Sequence, residues 1–351
     1  MSYYDGTKLL SLKDLDGETP EIFLSTSNRS AGKTTWFVKK LLTDFLTNGK
    51  KFVVLYRFNY ELDQCSDKIF TCVHNLFFPD YEMKDELKQK GMYSNLFIKK
   101  KTDEEWMNCG FAVSINNADQ IKKMSHLFSE ATCAFFDEFQ SESGKYCTRE
   151  VDKFQSVHAS LARGDGQQVK YFPVYMLSNN ISIINPYYTA LGIDGRLQEN
   201  TKFLRGNGWV LEKNYNESAS TRNLESAFNK AFSSSDYNKY LNGAFLNDSS
   251  NFIEQPKGNS KYLFTLVYRN CEYGVREYVQ LGYLYVGKRA DSTFPVKIAV
   301  DLESHQTNYV LLNHYDKAIR HLKFMFDHAS FRFENIQCRN ALMALLHYRT
   351  M

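Results

Sequence analysis

The chain has 351 residues, 43% of them hydrophobic and 15% aromatic, enough for two domains with their own cores and against long disordered tracts. A net charge of +3 is too small to mark a nucleic-acid binder by itself, although a basic face can hide inside a balanced total. Seven cysteines without a C-x-x-C pair suit a reduced chain, no run of about 18 apolar residues is present to span a bilayer, and the opening MSYYDGTKLLSLKDLDGE lacks the apolar centre of a signal peptide. Cys65, Cys72 and His74 lie close together but have no second ligand pair at zinc spacing, so they read as packing.

In chain order, EIFLS (21–25) fits a buried strand and SNRSAGKTT follows it. Trp36, Phe37, Leu41, Leu42 and Phe45 then recur at helical spacing, and Asn48-Gly49 ends the helix. KFVVLYR (51–57) is a second strand, so the start is a βαβ unit in a mainly parallel, helix-covered sheet. A strand–loop–helix junction carrying G-K-T is where a phosphate meets backbone N–H groups and a helix N-terminus.

Residues 27–35, Ser27, Asn28, Arg29, Ser30, Ala31, Gly32, Lys33, Thr34 and Thr35, are therefore the candidate nucleotide loop. Gly32 allows close approach of phosphate, Lys33 reaches the β- and γ-phosphates, and the Thr34 hydroxyl holds Mg²⁺. Ser27 stands where this loop usually opens with glycine; if that position requires positive φ, serine costs about 1 kcal/mol.

ATCAFFDEFQ (131–140) is an apolar run ending in Asp137-Glu138. Carboxylates at the end of a buried strand are expensive unless they bind something. Asp137 fits support of Mg²⁺ and Glu138 fits polarisation of the attacking water. Their distance from Lys33, about 100 residues, suits an additional-strand NTPase with a catalytic glutamate. YFPVYMLSNN (171–180) is a third strand, and its end, Ser178-Asn179, faces the same crevice as the loop. Arg163 precedes a G-D-G run and could reach a neighbour's γ-phosphate as a trans-acting finger, or be a solvated loop arginine. Arg29 is a further cation beside the phosphates, and Arg57 ends the second strand on the crevice side.

WVLEKNY (209–215) reads as the last strand of this domain, 1–213. Residues 214–247 read as a small helical connector, with TRNLESAFNKAF at helical spacing. In 248–351, KYLFTLVYRN, GVREYVQ and YLYVGKR form a meander with CEYG and LG as turns. NYVLLNHYDKAIRHLKFMFDHASFRF and NIQCRNALMALLHYR supply helices, making an α+β domain.

Taken together, SNRSAGKTT, FVVLYRFNYEL, FFDEFQSE, MLSNNISIINPYY (176–188), KYLFTLVYRNCEYGV (261–275) and RFENIQCRNALMALL (332–346) resemble the large terminases, specifically the phi29-like DNA-packaging ATPases. The resemblance spans nearly the whole chain. It implies an α/β additional-strand P-loop (ASCE) ATPase domain, a linker, and a C-terminal ribonuclease-H-like fold. It implies an ATP- and Mg²⁺-dependent motor that moves double-stranded DNA into a preformed capsid. That motor would be a homomeric ring, a pentamer, docked at the portal in the host cytoplasm, with a structural RNA as a further partner in the nearest relatives. By the same resemblance Ser178-Asn179 couple hydrolysis to movement, Lys122 or Lys123 is a coupling or sensing lysine, and Arg163 lies in the region of the trans finger.

A two-metal nuclease needs converging carboxylates, and KYLFTLVYR carries none. Glu272, Glu277, Asp291, Asp301 and Glu303 fall mainly near turns, so the C-terminal fold reads as a degenerate nuclease. Its cations, including Lys261, Arg269, Arg276, Lys288, Arg289, Arg320, Lys323, Arg332 and Arg339, are candidates for phosphate-backbone contact or solvated faces. Two alternatives stand beside the motor: a complete terminase with endonuclease activity, and a nucleotide-binding scaffold without turnover.

Overall fold

A computed structural model describes residues 4–63, 65–143, 145–163, 169–182, 185–193, 196–197, 201–231, 252–268, 270–300, 304–310, 316–328 and 330–348. The chain divides into two units, Met1–Ile193 with Leu197–Asp248, and Ser249–Met351 with Asp194–Arg196.

The first unit runs α1 (Thr7–Ser11), β1 (Ile22–Ser27), α2 (Lys33–Asn48), β2 (Lys51–Tyr56), α3 (Cys65–Phe77), β3 (Tyr81–Lys88), β4 (Tyr93–Lys100) and β5 (Met107–Ser114). It continues with α4 (Ala118–Lys123), β6 (Ala131–Phe136), α5 (Glu150–Leu161), β7 (Val174–Asn179), α6 (Pro186–Ala190), β8 (Phe203–Gly206), β9 (Trp209–Lys213), α7 (Glu217–Glu225) and α8 (Ala227–Ala231).

Strand β1 is buried from Phe23 to Ser27, so it needs partners on both sides. It finds them in parallel pairing with β7 and β9. The nine strands lie in the order β3-β4-β5-β2-β6-β7-β1-β9-β8. Because β7 is inserted between β1 and β6, the loop strand and the acid strand are not neighbours, which is the additional-strand arrangement. Helix α2 buries Phe37, Val38, Leu41, Leu42 and Phe45 as one stripe. Phe37 reaches Phe135 and Tyr175 on one sheet face, while Phe154 and Tyr187 pack on Phe136 on the other. Phe37 is fully buried, and truncation to alanine there costs about 3–5 kcal/mol.

The second unit holds β10 (Lys261–Tyr268), β11 (Cys271–Tyr278), β12 (Tyr283–Gly287), β13 (Lys297–Ala299), α9 (Lys317–Asp327), β14 (Phe331–Phe333) and α10 (Ile336–Tyr348). An antiparallel β10-β11-β12 meander is flanked by β13 parallel to β10 and β14 parallel to β12. Ile319 and Leu322 of α9, and Cys338, Ala341, Leu342 and Leu345 of α10, join Leu266, Val275, Leu284 and Val286 in one core.

Several elements differ from expectation. The strands β3, β4 and β5 were not foreseen. CEYG is no turn but the start of β11; the reversal falls one residue earlier, at Asn270, which takes φ +59. SFRF becomes β14 instead of helix, because Phe331 and Phe333 alternate into the core beside β12. Helices α7 and α8 open the expected connector and group with the first unit; residues 232–247 lie outside the described set.

Candidate active site

Strand β1 delivers its last residue, Ser27, between β7 and β9, in register with Asn179. The backbone then turns through Ser30 at φ +64 and Gly32 at φ +92 before α2 begins at Lys33. Gly32 is thus the residue the turn requires. Ser27 is not in the left-handed region, so the cost expected there does not arise. The loop's strain sits at Ser30, at roughly 1–2 kcal/mol for a non-glycine residue.

Ser27 instead has a specific contact. Its side chain is fully buried, and its Oγ accepts from Lys33 Nζ at 2.5 Å while donating to the Asn28 carbonyl at 2.9 Å. Burial lowers the Lys33 pKa to about 8, against the opposing pull of the Asp137 and Glu212 carboxylates. Glu212 belongs to a buried group behind the lysine: its Oε2 accepts from Tyr4 Oη at 2.8 Å and from Ser25 Oγ at 3.3 Å, and the two hydroxyl oxygens lie 3.0 Å apart. Tyr4 also stacks edge-on against Trp36, and Gly6 lies so close to the Trp36 ring that a Cβ would approach it to 2.6 Å. The N-terminal segment is therefore seated on the start of α2.

Thr34 Oγ1 donates to Asp137 Oδ2 at 2.7 Å. A hydroxyl and a carboxylate so paired are hard oxygen donors that suit Mg²⁺. Burial raises the Asp137 pKa, opposed by the Thr34 hydrogen bond and the Lys33 charge. Glu138 follows at φ +56, an uncommon conformation for a non-glycine residue. Its pKa is also raised, first by burial and then by the Asp137 and Glu142 charges, with Arg29 opposing. Arg29 pairs with Glu142 at 3.7 Å, both about half exposed, linking the loop to the segment after the acids.

The unusual backbone at Glu138 is held by Arg57. This buried guanidinium donates to the Phe139 carbonyl at 2.7 Å and to the Glu138 carbonyl at 3.3 Å. Its Nε meets both Glu150 oxygens at 3.0 and 2.9 Å. Glu150 also accepts from Tyr187 Oη and Cys147 N, each at 2.8 Å. Gln140 Oε1 accepts from Ile181 N and Ser182 N, tying the acid segment to the chain after β7.

Of the expected residues, Ser27, Lys33, Thr34 and Asp137 are thus joined by contacts, with Glu138 adjacent. Ser178 is register-paired with Thr26 and Asn179 with Ser27, alongside the loop entrance. Asn28 turns its amide away from the loop, to Asn216. Lys122 and Lys123 are exposed at the end of α4, and Arg163 is exposed two residues beyond α5. Among the described contacts none joins these three to the loop. Sequence reasoning missed Tyr4, Ser25, Glu212, Glu150 and Tyr187, and gave Arg57 only a position. An arginine at the end of the apolar run KFVVLYR was the available signal.

The chain matches the family described as Podovirus DNA encapsidation protein (Gp16) over residues 2–351. The DNA packaging protein of Bacillus phage B103 is 26% identical over 314 residues, 88% of this chain and 90% of that protein. The DNA packaging protein of Bacillus phage phi29 is 23% identical over 317 residues, 89% of each. The solved bacteriophage Phi-29 viral genome packaging motor assembly matches 99% of both chains with a TM-score of 0.61 at 20% identity, a likeness of fold. With all but the first residue inside the family match, the chain belongs to the podovirus DNA encapsidation proteins.

Proposed function

We propose that this chain is an ATP-driven motor that moves double-stranded viral DNA into a preformed capsid, as a pentameric ring of identical subunits docked at the portal in the host cytoplasm. One observation carries the reading: Thr34, in the first turn of α2, and Asp137, just beyond β6 and 103 residues away, meet at 2.7 Å beside a buried lysine. Its relatives, the DNA packaging proteins of Bacillus phages and a viral genome packaging motor, supply the task. A structural RNA between ring and portal belongs to the same reading.

In this mechanism Lys33 leaves Ser27 to meet the β- and γ-phosphates, and the N–H groups of Arg29 to Thr34 cradle them. Thr34 and Asp137 would hold Mg²⁺, which would supply positive charge against the phosphate oxygens. Glu138, with its raised pKa, takes the proton of the attacking water. Arg163 of one subunit serves its neighbour's γ-phosphate. Ser178 and Asn179, beside Ser27 across the β1–β7 ladder, report the change to the rest of the sheet; Lys122 or Lys123 is a further sensing candidate.

The second unit contacts the nucleic-acid backbone and does not cut it. Supporting this is a row across its sheet, Tyr262–Arg276–Tyr285–Arg332, one residue per strand in register. Beside it lies a groove of about 350 Å³ lined by Arg276, Arg289, Tyr278, Tyr285 and Glu334. Guanidinium and phenol groups bind phosphate and stack on sugar or base without reading sequence. Of the acids weighed for a nuclease, Glu272 is paired with Lys297, and Asp291 caps the turn at Thr293. Asp301 and Glu303 fall outside the described residues.

The test is subunit mixing. Lys33→Ala and Arg163→Ala chains, each inactive alone, should recover part of the ATPase activity when combined, because some interfaces then hold an intact lysine and an intact arginine. Inactivity at every ratio would remove Arg163 from the trans role.

A further inference from the structure

One side chain of the loop, that of Asn28, is bonded to the segment after β9. Asn28 is fully buried. Its Nδ2 donates to the Asn216 carbonyl at 2.9 Å and its Oδ1 accepts from the Asn216 N–H at 2.8 Å. The backbone of β9 follows β1 as a parallel partner as far as Thr26 and Lys213, and Asn214 N still donates to the Thr26 carbonyl at 2.7 Å. There β1 turns away into the loop. The Asn28 amide then stands in for the missing peptide and satisfies both polar groups of Asn216.

Asn216 is in turn the N-cap of α7: its Oδ1 accepts from Ala219 N at 3.0 Å. One residue thus carries two jobs through different atoms, its backbone held by the loop and its side chain holding the helix. Helix α7 starts the stretch of chain that leads on to the second unit. On the loop side, Ser27 donates to the carbonyl of Asn28, and Ser27 is what Lys33 must leave for phosphate. The Lys33–Ser27–Asn28–Asn216–α7 path is continuous in hydrogen bonds and lies within one unit.

We infer that Asn28 is a positioning residue that couples phosphate occupancy of the loop to the order of α7. This rests on the ATP reading above. Phosphate fixes the loop backbone, which fixes the Asn28 amide, which steadies the first turn of α7.

The test is amide hydrogen exchange of residues 217–225 in the full chain, with and without saturating Mg²⁺ and a non-hydrolysable ATP analogue. In the native chain the analogue should slow exchange there by about tenfold, the factor two ordinary neutral hydrogen bonds can supply. Asn28→Gly, compared at saturation, should lose that response; Asn28→Asp, which keeps the acceptor and the shape, should keep part of it. Asn216→Ala removes the cap but not the backbone atoms that Asn28 holds. It should speed exchange of α7 in both states while preserving the difference between them, a pattern that a merely structural role for Asn28 would not give. A native chain whose α7 ignores bound analogue, or Asn28→Gly and Asn28→Asp chains that respond as the native one does, would overturn the inference. A native chain that binds no analogue at all would overturn the ATP reading beneath it.

Discussion

The two sheets handle charge in opposite ways. In the first unit Lys33, Arg57, Glu150 and Glu212 are buried and each is held by named partners. In the second unit Arg276, Arg289 and Arg332 lie along one sheet face or its rim, half-buried or exposed. Buried, fully partnered charges are costly to remove and fix geometry, as a site for chemistry requires. Charges on an open face cost little to change and act through long-range attraction that salt weakens. The division of labour proposed for this chain follows from that contrast.

The contrast breaks if Arg57 and Arg276 behave alike. Arg57→Ala leaves the Glu150 carboxylate buried without its cation and frees the Glu138 carbonyl, so it should cost about 3–5 kcal/mol in urea unfolding of the first unit. Turnover should fall with it wherever the fold survives. By comparison, Arg276→Ala should leave stability within about 0.5 kcal/mol. Its effect belongs to DNA binding, where the slope of log affinity against log salt should shrink by about 1, uniformly across sequences. An unchanged salt slope for Arg276→Ala, and again for Arg332→Ala, would remove the sheet face from the DNA-binding account.

A smaller effect sharpens the same contrast. Burial raises the Glu212 pKa above its ordinary 4.5, with the hydroxyls of Tyr4 and Ser25 opposing. The folded chain therefore holds that proton more tightly than the unfolded one. This contribution to stability is present below pH 4.5 and is lost as pH rises through the raised value. Glu212→Gln should remove that part of the decline, seen as a flatter plot of unfolding midpoint against pH.

Much of the first unit could be read directly. β1, β2, β6, β7 and β9 are short apolar runs, and α2 has one clean stripe, because parallel strands are buried on both faces. β3 could not be read, since Tyr81–Lys88 mixes lysines and carboxylates with a few apolar residues along an edge strand whose residues are half-buried or exposed. Its place comes from pairing with β4, which sequence spacing does not reveal. The second half of the loop and Asp137 follow from residue type and spacing. Glu212 and Tyr4 do not, because they are 208 residues apart and neither is unusual in its own segment. Ser27 marks the limit most clearly. As a departure from the usual glycine it suggested strain, whereas its backbone is ordinary strand and its hydroxyl holds the lysine.

The most direct test of the central claim is steady-state ATP hydrolysis and nucleotide binding by the native chain and by Glu138→Gln, with Mg²⁺, DNA and capsid present. The account expects turnover by the native chain, and in Glu138→Gln a loss of about 100-fold or more with ATP still bound. Turnover that survives Glu138→Gln at the native rate, or a native chain that binds ATP and never hydrolyses it, would contradict it.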